Sequence, residues 1–89
     1  MADSLAVTVI GNDRPGIVAA VTRSLFDLGC NLEDVSSTIL RGHFSMTMIV
    51  SNPGAIDARG VEDHLRKVAD DLGLIVSARP VEDAALEVG

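Results

Sequence analysis

Aromatic and basic residues are both scarce in this sequence of 89 residues. It contains two phenylalanines and no tryptophan or tyrosine, and seven basic residues stand against thirteen acidic ones, for a formal net charge of −6. Nucleic-acid surfaces need clustered lysine and arginine, and single-strand binders also need aromatic side chains on which bases stack. No nucleic-acid partner is therefore expected.

Long apolar runs and cysteine pairs are also missing. No run approaches the roughly 18–20 apolar residues that a membrane helix requires, so no membrane partner is expected. The first residues show no basic segment of a signal peptide. The single cysteine, Cys30, cannot form an internal disulfide and suits a reducing compartment. Together these features predict a cytoplasmic protein.

The first half of the chain predicts a strand, a helix and a hairpin. Residues 5–10 form a β-rich apolar run, which a cluster of loop-forming residues at 11–16 ends. Apolar residues then recur at helical spacing up to Leu28, and Gly29 is placed to end that helix. Residues 31–40 alternate as an exposed or edge strand, and after a short turn residues 43–50 alternate strictly between apolar and polar.

The second half predicts one more helix and one more strand. A loop at residues 51–54 precedes a helix that Asp57 caps and Gly73 ends. The buried stripe of that helix is expected to comprise Val61, Leu65, Val68 and Leu72. Residues 74–78 form the last strand, which fades at Pro80.

This order of elements predicts an α+β fold. Two split βαβ units form a ferredoxin-like βαββαβ sandwich, a four-stranded antiparallel sheet with two helices on one face. Right-handed crossovers place the first and third strands in the centre of the sheet. We expect one domain over residues 5–83, between tails at residues 1–4 and 84–89.

No catalytic or metal-binding group is expected. Cys30 follows the C-terminal end of the first helix, where the helix dipole disfavours a thiolate, so it is interpreted as a small buried residue. His43 and His64 lack the spacing that would bring metal ligands together. Adjacent acidic residues do not face each other on a helix or strand. The prediction is therefore a non-enzymatic protein without metal or other cofactor.

The loop at residues 11–16 is the one candidate site. It places short polar side chains and a glycine directly before a helix N-terminus, whose free N–H groups can hold a carboxylate. Asp13 can accept from an ammonium group, so the pair of features suits an amino-acid zwitterion. The other interpretation is structural: Asp13 caps the helix, Pro15 occupies its first turn and Gly16 allows close packing.

Two segments resemble the signature of the ACT domain family. Residues 12–18, N-D-R-P-G-I-V, match D-x-P-G-[IV] at the start of the first helix, and residues 29–35, G-C-N-L-E-D-V, match G-x-N-[IL] at the start of the second strand. The resemblance covers the chain from Leu5 to about Val81. It is greatest to small free-standing ACT proteins related to the glycine-cleavage-system repressor and to the N-terminal ACT region of phosphoserine phosphatases.

The resemblance implies a regulatory domain that binds a small amino acid at a homodimer interface. Ligand contacts would come from the first loop of one subunit and from the start of the second strand of its neighbour. The implied ligand-binding residues are Gly11, Asn12, Asp13, Gly16, Ile17, Val18, Asn31 and Leu32. Some serine-binding members have His in place of Gly11 and Asn in place of Asp13, so serine specificity does not follow.

The second strand gives independent support for a dimer. An edge strand of about ten residues leaves unpaired N–H and C=O groups, which pairing of two such edges about a two-fold axis would satisfy. An edge protected by its own Ser, Thr and acidic residues is the alternative.

In the first functional hypothesis, ligand binding regulates a separate enzyme or regulator protein by population shift. The second functional hypothesis is an adaptor that binds proteins without any ligand.

Overall fold

The computed structural model describes residues 4–51 and 57–81. They form six elements in the predicted order: β1 (Ser4–Asn12), α1 (Ile17–Asp27), β2 (Asn31–Leu40), β3 (His43–Ser51), α2 (Ala58–Leu72) and β4 (Leu74–Val81). Ser51 of the loop predicted at residues 51–54 ends β3, and Ser4 of the tail predicted at residues 1–4 begins β1. The remaining residues of that loop and that tail, and the tail predicted at 84–89, lie outside the described residues.

The four strands form one antiparallel sheet in the order β2-β3-β1-β4, which confirms the predicted ferredoxin-like fold. Alternate residues of the central strands are buried against both helices in a single core. Val7 and Val9 of β1 and Met48 of β3 are completely buried there. The sheet thus has a helix side, which carries the core, and an opposite side without a covering layer among the described residues.

We call that opposite side the open sheet face. Strand alternation and register assign to it residues 6, 8 and 10 of β1, 34, 36 and 38 of β2, 45, 47 and 49 of β3, and 75, 77 and 79 of β4. Most of these residues are small or carry hydroxyl groups, but Ile10 and Ile75 are exposed isoleucines.

Glycine residues end both helices, and a capping carboxylate begins the second helix, where the sequence predicts. Gly29 adopts φ +80, and the N–H of Cys30 donates to the carbonyl of Leu25 in a left-handed helix ending. The Asp57 carboxylate accepts from the N–H of Gly60 at 2.9 Å and begins α2. Gly73, with φ +68, ends that helix.

Three further details of the elements differ from the predictions. Strand β1 extends through Gly11 and Asn12, which were expected in the loop, because both pair with β3. Strand β4 continues through Pro80, since this edge position faces away from β1 and needs no N–H bond. The buried residues of α2 are Val61, Leu65 and Ala69, whereas Val68 and Leu72 are only partly buried.

The helices of the described residues are too short or too polar to cross a membrane.

Candidate functional site

Two contacts anchor the β1–α1 loop to distant parts of the chain. The backbone N–H of Asp13 donates to the carbonyl oxygen of Gly42 in the β2–β3 turn, at 2.8 Å. The Arg14 guanidinium lies 3.4 Å from the carbonyl oxygen of Leu72, at the C-terminal end of α2. Helix C-termini carry partial negative charge and attract cations. The loop is therefore held between the hairpin and the second helix.

The N-terminus of α1 has no side-chain cap. Gly16 is the N-cap residue, with φ +87, and the first intrahelical bond runs from the N–H of Ala20 to the carbonyl of Gly16. The N–H groups of residues 17–19 thus have no acceptor within the helix, and the positive end of the helix dipole faces outwards. A carboxylate placed there would meet favourable donors.

The structural interpretation of this loop is wrong. No side chain bonds the end of α1, so Asp13 does not cap the helix, and Pro15 precedes its first turn, which begins at Ile17. A Cβ atom at Gly16 would contact nothing within 4 Å, so Gly16 is not required for close packing. Its positive φ instead requires a residue that tolerates the left-handed conformation.

A cavity of about 430 Å³ opens beside this loop. Residues of the loop and of the first turn of α1 form one wall, and the helix side of β2 and β3 forms the other. The lining residues are Asp13, Arg14, Gly16, Ile17, Val18, Ala19, Ser37, Ile39 and Phe44. Among them Asp13 and Arg14 supply one charge of each sign, beside the apolar side chains of Ile39 and Phe44. The lining therefore combines the groups that bind a zwitterion with an apolar surface.

The predicted ligand-binding residues fall into three groups. Four of them line the cavity: Asp13, Gly16, Ile17 and Val18. Gly11 and Asn12 lie in β1, immediately before the loop. Asn31 and Leu32 lie at the opposite end of the sheet, because they pair with Ser51 and Val50 while Ile39 pairs with Phe44 beside the cavity. The eight steps along the chain from Asn31 to Ile39 span roughly 26 Å of strand, so a single chain does not bring these groups together.

Gly11 occupies a crowded position. A Cβ atom there would lie 2.5 Å from Leu74 Cδ2 and 3.2 Å from the carbonyl oxygen of Gly73. Leu74 is buried, so it has little room to move. The absence of histidine at this position therefore has a local structural reason, because β4 occupies the space that a side chain would need.

Sequence reasoning missed five lining residues. They are Arg14, Ala19, Ser37, Ile39 and Phe44. Arg14 and Ala19 are neighbours in the chain of residues that were predicted to bind the ligand. Arg14 lies within the predicted loop, and Ala19 follows Val18 in the first turn of α1. The remaining three could have been found from the hairpin alone, since the short turn at residues 41–42 fixes which residues of β2 and β3 lie at this end of the sheet.

The two edges of the sheet differ in how their outward backbone groups are satisfied. In β4 the N–H of Ala78 donates to Glu62 of α2 at 3.0 Å, and Pro80 has no N–H to offer. In β2 the two-residue turn directs the N–H groups of residues 35, 37 and 39 away from β3. The N–H of Val35 donates to the Asp34 carboxylate at 2.9 Å, and the strand bulges between Leu32 and Asp34.

This arrangement gives the β2 edge two parts. The bulge and the bonded carboxylate protect its first part, as the alternative interpretation of an edge without a partner requires. The second part, with Ser37 and Ile39, presents outward N–H and C=O groups in a regular extended strand. That part borders the cavity.

Exposed apolar side chains surround the β2 edge on the helix side. Phe26 of α1 is 75% exposed, and Val18 lies on the same helix face, two turns away. In β2, Leu32, Val35 and Ile39 share the helix side of the sheet and are about half exposed. Large side chains in this number, contiguous with a free edge, are typical of a protein contact surface.

The Ser51 hydroxyl donates to the Glu33 carboxylate at 2.9 Å, at an exposed position. Cys30 is buried, as predicted, and burial raises the pKa of its thiol. Within residues 4–51 and 57–81, no group of three or more His, Cys, Asp or Glu side chains converges on a point.

Comparisons with known proteins identify the family. The model of the ACT domain matches residues 3–79, and the chain belongs to the ACT domain family, which confirms the resemblance seen in the sequence. ACT domains are regulatory modules, and the match indicates no catalytic family. A UPF0237 protein of Methanopyrus kandleri is 42% identical over 71 residues, which cover 79% of this chain and 79% of the relative.

Solved structures show the same fold. An ACT domain protein from Streptococcus pneumoniae superposes with a TM-score of 0.81 at 28% identity, covering 100% of this chain and 99% of that one. A protein described as a glycine cleavage system transcriptional repressor superposes with a TM-score of 0.72 at 23% identity, covering 92% of this chain and 47% of that one. The second likeness is one of fold.

Proposed function

We propose that this chain is a non-enzymatic regulatory ACT domain that binds a small amino acid between two subunits and modulates a separate enzyme or transcription regulator. The observation that carries the proposal is the cavity between the β1–α1 loop and the β2 edge. Its volume of about 430 Å³ lies in the range of roughly 300–1,000 Å³ that is common for small-molecule sites.

The lining suits the two charges of an amino acid. The Asp13 carboxylate can accept from the ligand ammonium group. The free N–H groups at the start of α1 and the Arg14 guanidinium can donate to the ligand carboxylate. Ile39 and Phe44 offer an apolar surface to the ligand side chain.

A second subunit completes the site. Antiparallel pairing of two β2 edges must match the outward residues 35, 37 and 39 with one another about a two-fold axis. The register that sets Ser37 of one subunit opposite its copy places Asn31 and Leu32 beside the β2–β3 turn of the partner subunit, next to the end of β2 that borders the cavity. Leu32 lies on the helix side of the sheet, as the cavity does, since it pairs with buried Val50.

The same pairing covers the apolar surface of the helix side. With Ser37 opposite its copy, Val35 of each subunit would face Ile39 of the partner subunit. The apolar side chains Phe26, Val35 and Ile39 would leave water, which favours association in proportion to the apolar area buried. Because loop and partner strand both contact the ligand, ligand binding favours one geometry of the dimer. It shifts the population only by its difference in affinity between the two geometries.

A thermal-shift panel of the common amino acids tests the proposal. A ligand at 100 times its Kd stabilises the folded protein by about 2.7 kcal/mol. For a domain of this size that raises Tm by roughly 10 °C or more. Asp13→Ala removes the oxygens that would accept from the ligand ammonium group, so it should abolish the shift. The control, Asp71→Ala, makes the same change at an exposed residue of α2 outside the cavity and should retain the shift.

Two results would contradict the proposal. One is the absence of any shift across the panel at millimolar concentration. The other is an equal shift in both variants, because the ligand would then not use Asp13. Isothermal titration of the responding amino acid gives the stoichiometry, and two ligands per dimer are expected.

The second candidate is an adaptor that binds a protein partner without any ligand. Exposed Phe26 favours it, since a heterologous partner could cover the same apolar surface. Sedimentation of the purified chain separates the two candidates. A homodimer supports the first, whereas a stable monomer that binds no amino acid supports the second.

A further inference from the structure

The open sheet face presents one charged residue at each edge of a single cross-strand row. Ala6 pairs with Arg79 of β4 on one side and with Ile49 of β3 on the other, and Ile49 pairs in turn with Asp34 of β2. The row therefore reads Arg79, Ala6, Ile49, Asp34 across the four strands. At about 4.8 Å per strand its two charges stand roughly 14 Å apart, too far to pair within one chain.

A hollow lies at the acidic end of this row. It has a volume of about 170 Å³ and is lined by Asp34, Val35, Ser36, Thr47 and Ile49. One oxygen of Asp34 accepts from the N–H of Val35, and within residues 4–51 and 57–81 no donor bonds the other. Hydroxyl groups and an apolar side chain surround the carboxylate. These groups can receive the guanidinium and the aliphatic stem of an arginine.

The row is complementary to itself under a two-fold rotation. An axis parallel to the strands, lying between two packed open faces, sets β4 of each copy against β2 of the other. Arg79 then stands over the Asp34 hollow of its partner, and this contact forms twice. Packed sheets cross at about 30°, and the long arginine side chain can span the resulting offset.

The size of the face agrees with a specific interface. Four strands of about eight residues present roughly 500 Å² per copy, or about 1,000 Å² in total, which is near the lower limit of specific interfaces. Ile10 and Ile75 contribute exposed apolar area, and the hydroxyl-bearing residues allow close approach of the two sheets. The occupant that matches both the charges and the shape of this face is a second copy of this chain.

We propose that the open sheet face is a self-association surface on which two copies pack face to face, each with its Arg79 in the Asp34 hollow of the other. This surface is distinct from the β2 edge. When both surfaces are used, the chain forms a tetramer, in which edge-paired dimers associate through their sheets.

Sedimentation velocity of the full chain over a range of concentrations tests the proposal. Arg79→Glu sets like charges against each other, and we expect it to raise the Kd of face-to-face association about tenfold or more. The matched control is Arg59→Glu, the same reversal on exposed α2, which should leave that Kd unchanged. Arg79→Asp combined with Asp34→Arg restores opposite charges and should recover most of the loss.

Ser37→Pro separates the two surfaces, because it removes an outward N–H of the β2 edge and leaves the open face intact. A Ser37→Pro protein that still dimerises, and whose Kd rises with Arg79→Glu, supports the proposal. A monomer at all concentrations overturns it, as does an equal effect of Arg79→Glu and Arg59→Glu. Should Ser37→Pro fail to fold, judged by circular dichroism, the Arg79 and Arg59 variants of the otherwise unchanged chain decide. Of these two variants, only Arg79→Glu should then halve the mass of the largest assembly.

Discussion

The backbone N–H of Asp13 donates to the carbonyl oxygen of Gly42 at 2.8 Å and so joins the candidate ligand loop to the β2–β3 turn. The turn is tight, with positive φ at both of its central residues, +52 at Arg41 and +79 at Gly42. Turns of this type match the twist of the strands but strain any residue other than glycine, asparagine or aspartate. The position of Asp13 therefore depends on a turn that depends on glycine.

Gly42→Ala should weaken both the fold and the ligand site. A Cβ atom at this position meets no neighbour, so the cost is the left-handed backbone alone, about 1–2 kcal/mol in the free energy of unfolding. Urea denaturation measures that cost. Ligand affinity should also fall, because the carbonyl that holds Asp13 moves.

The control for this variant improves the same turn. Arg41→Asn places a residue that tolerates positive φ beside Gly42 and should raise the free energy of unfolding by about 0.5–1 kcal/mol. Equal stabilities of the two variants would show that the backbone of the turn is not strained.

Gly11→Ala should destabilise the chain by a different mechanism. The added Cβ would lie 2.5 Å from Leu74 Cδ2 and 3.2 Å from the backbone oxygen of Gly73, so buried atoms must shift. Overpacking of this kind costs about 1–3 kcal/mol. In combination with Leu74→Ala the two losses should add to less than their sum, since the smaller side chain makes room. Strict additivity in urea denaturation would mean that Leu74 is not the obstacle.

The sequence alone predicts the order of elements and the central strands, because the spacing of apolar residues changes from strand to helix at Gly16 and from helix to strand at Gly73. It does not predict that β1 runs through Gly11 and Asn12. Those residues have loop-forming side chains, and they adopt strand conformation only because β3 continues alongside.

The candidate site also has parts that the sequence predicts and parts that it does not. Local pattern identifies the loop and Asp13, because the loop-forming residues and the start of α1 follow one another directly in the chain. It gives no indication that Arg14 reaches Leu72, 58 residues further along. Asn31 and Leu32 are a separate case, because one chain holds them at the other end of the sheet. Only the proposed dimer would bring them near the loop, and no local pattern describes a second chain.

Cys30 should report on unfolding through its reactivity. Burial raises the pKa of the thiol above its ordinary value of 9.0, so the folded chain keeps the thiol protonated and inaccessible. Alkylation by iodoacetamide at pH 8 should be much slower in the native chain than in urea-unfolded chain. Comparable rates would show that the native thiol is accessible.

The same raised pKa predicts a dependence of stability on pH. As pH rises through 9.0, the unfolded chain loses the thiol proton while the folded chain still binds it, so the free energy of unfolding falls. Denaturation of the chain and of Cys30→Ala at increasing alkaline pH measures this loss. The difference between their slopes should disappear below the ordinary thiol pKa.

Ser37→Pro should prevent pairing of the β2 edges while preserving the sheet within one chain. The N–H of Ser37 points away from β3, so proline removes no hydrogen bond of the β2–β3 pair. It does remove a donor that edge pairing needs and places a ring against the partner strand. Ser37→Ala shortens the same side chain and retains the N–H, so it should associate as the unchanged chain does. Both variants are compared in the Arg79→Glu background, which weakens face-to-face association. Sedimentation equilibrium should then show dimers for Ser37→Ala and monomers for Ser37→Pro, with unchanged far-ultraviolet circular dichroism in both. If both variants dimerise equally well in that background, the subunits do not pair through β2, and Asn31 and Leu32 have no route to the ligand.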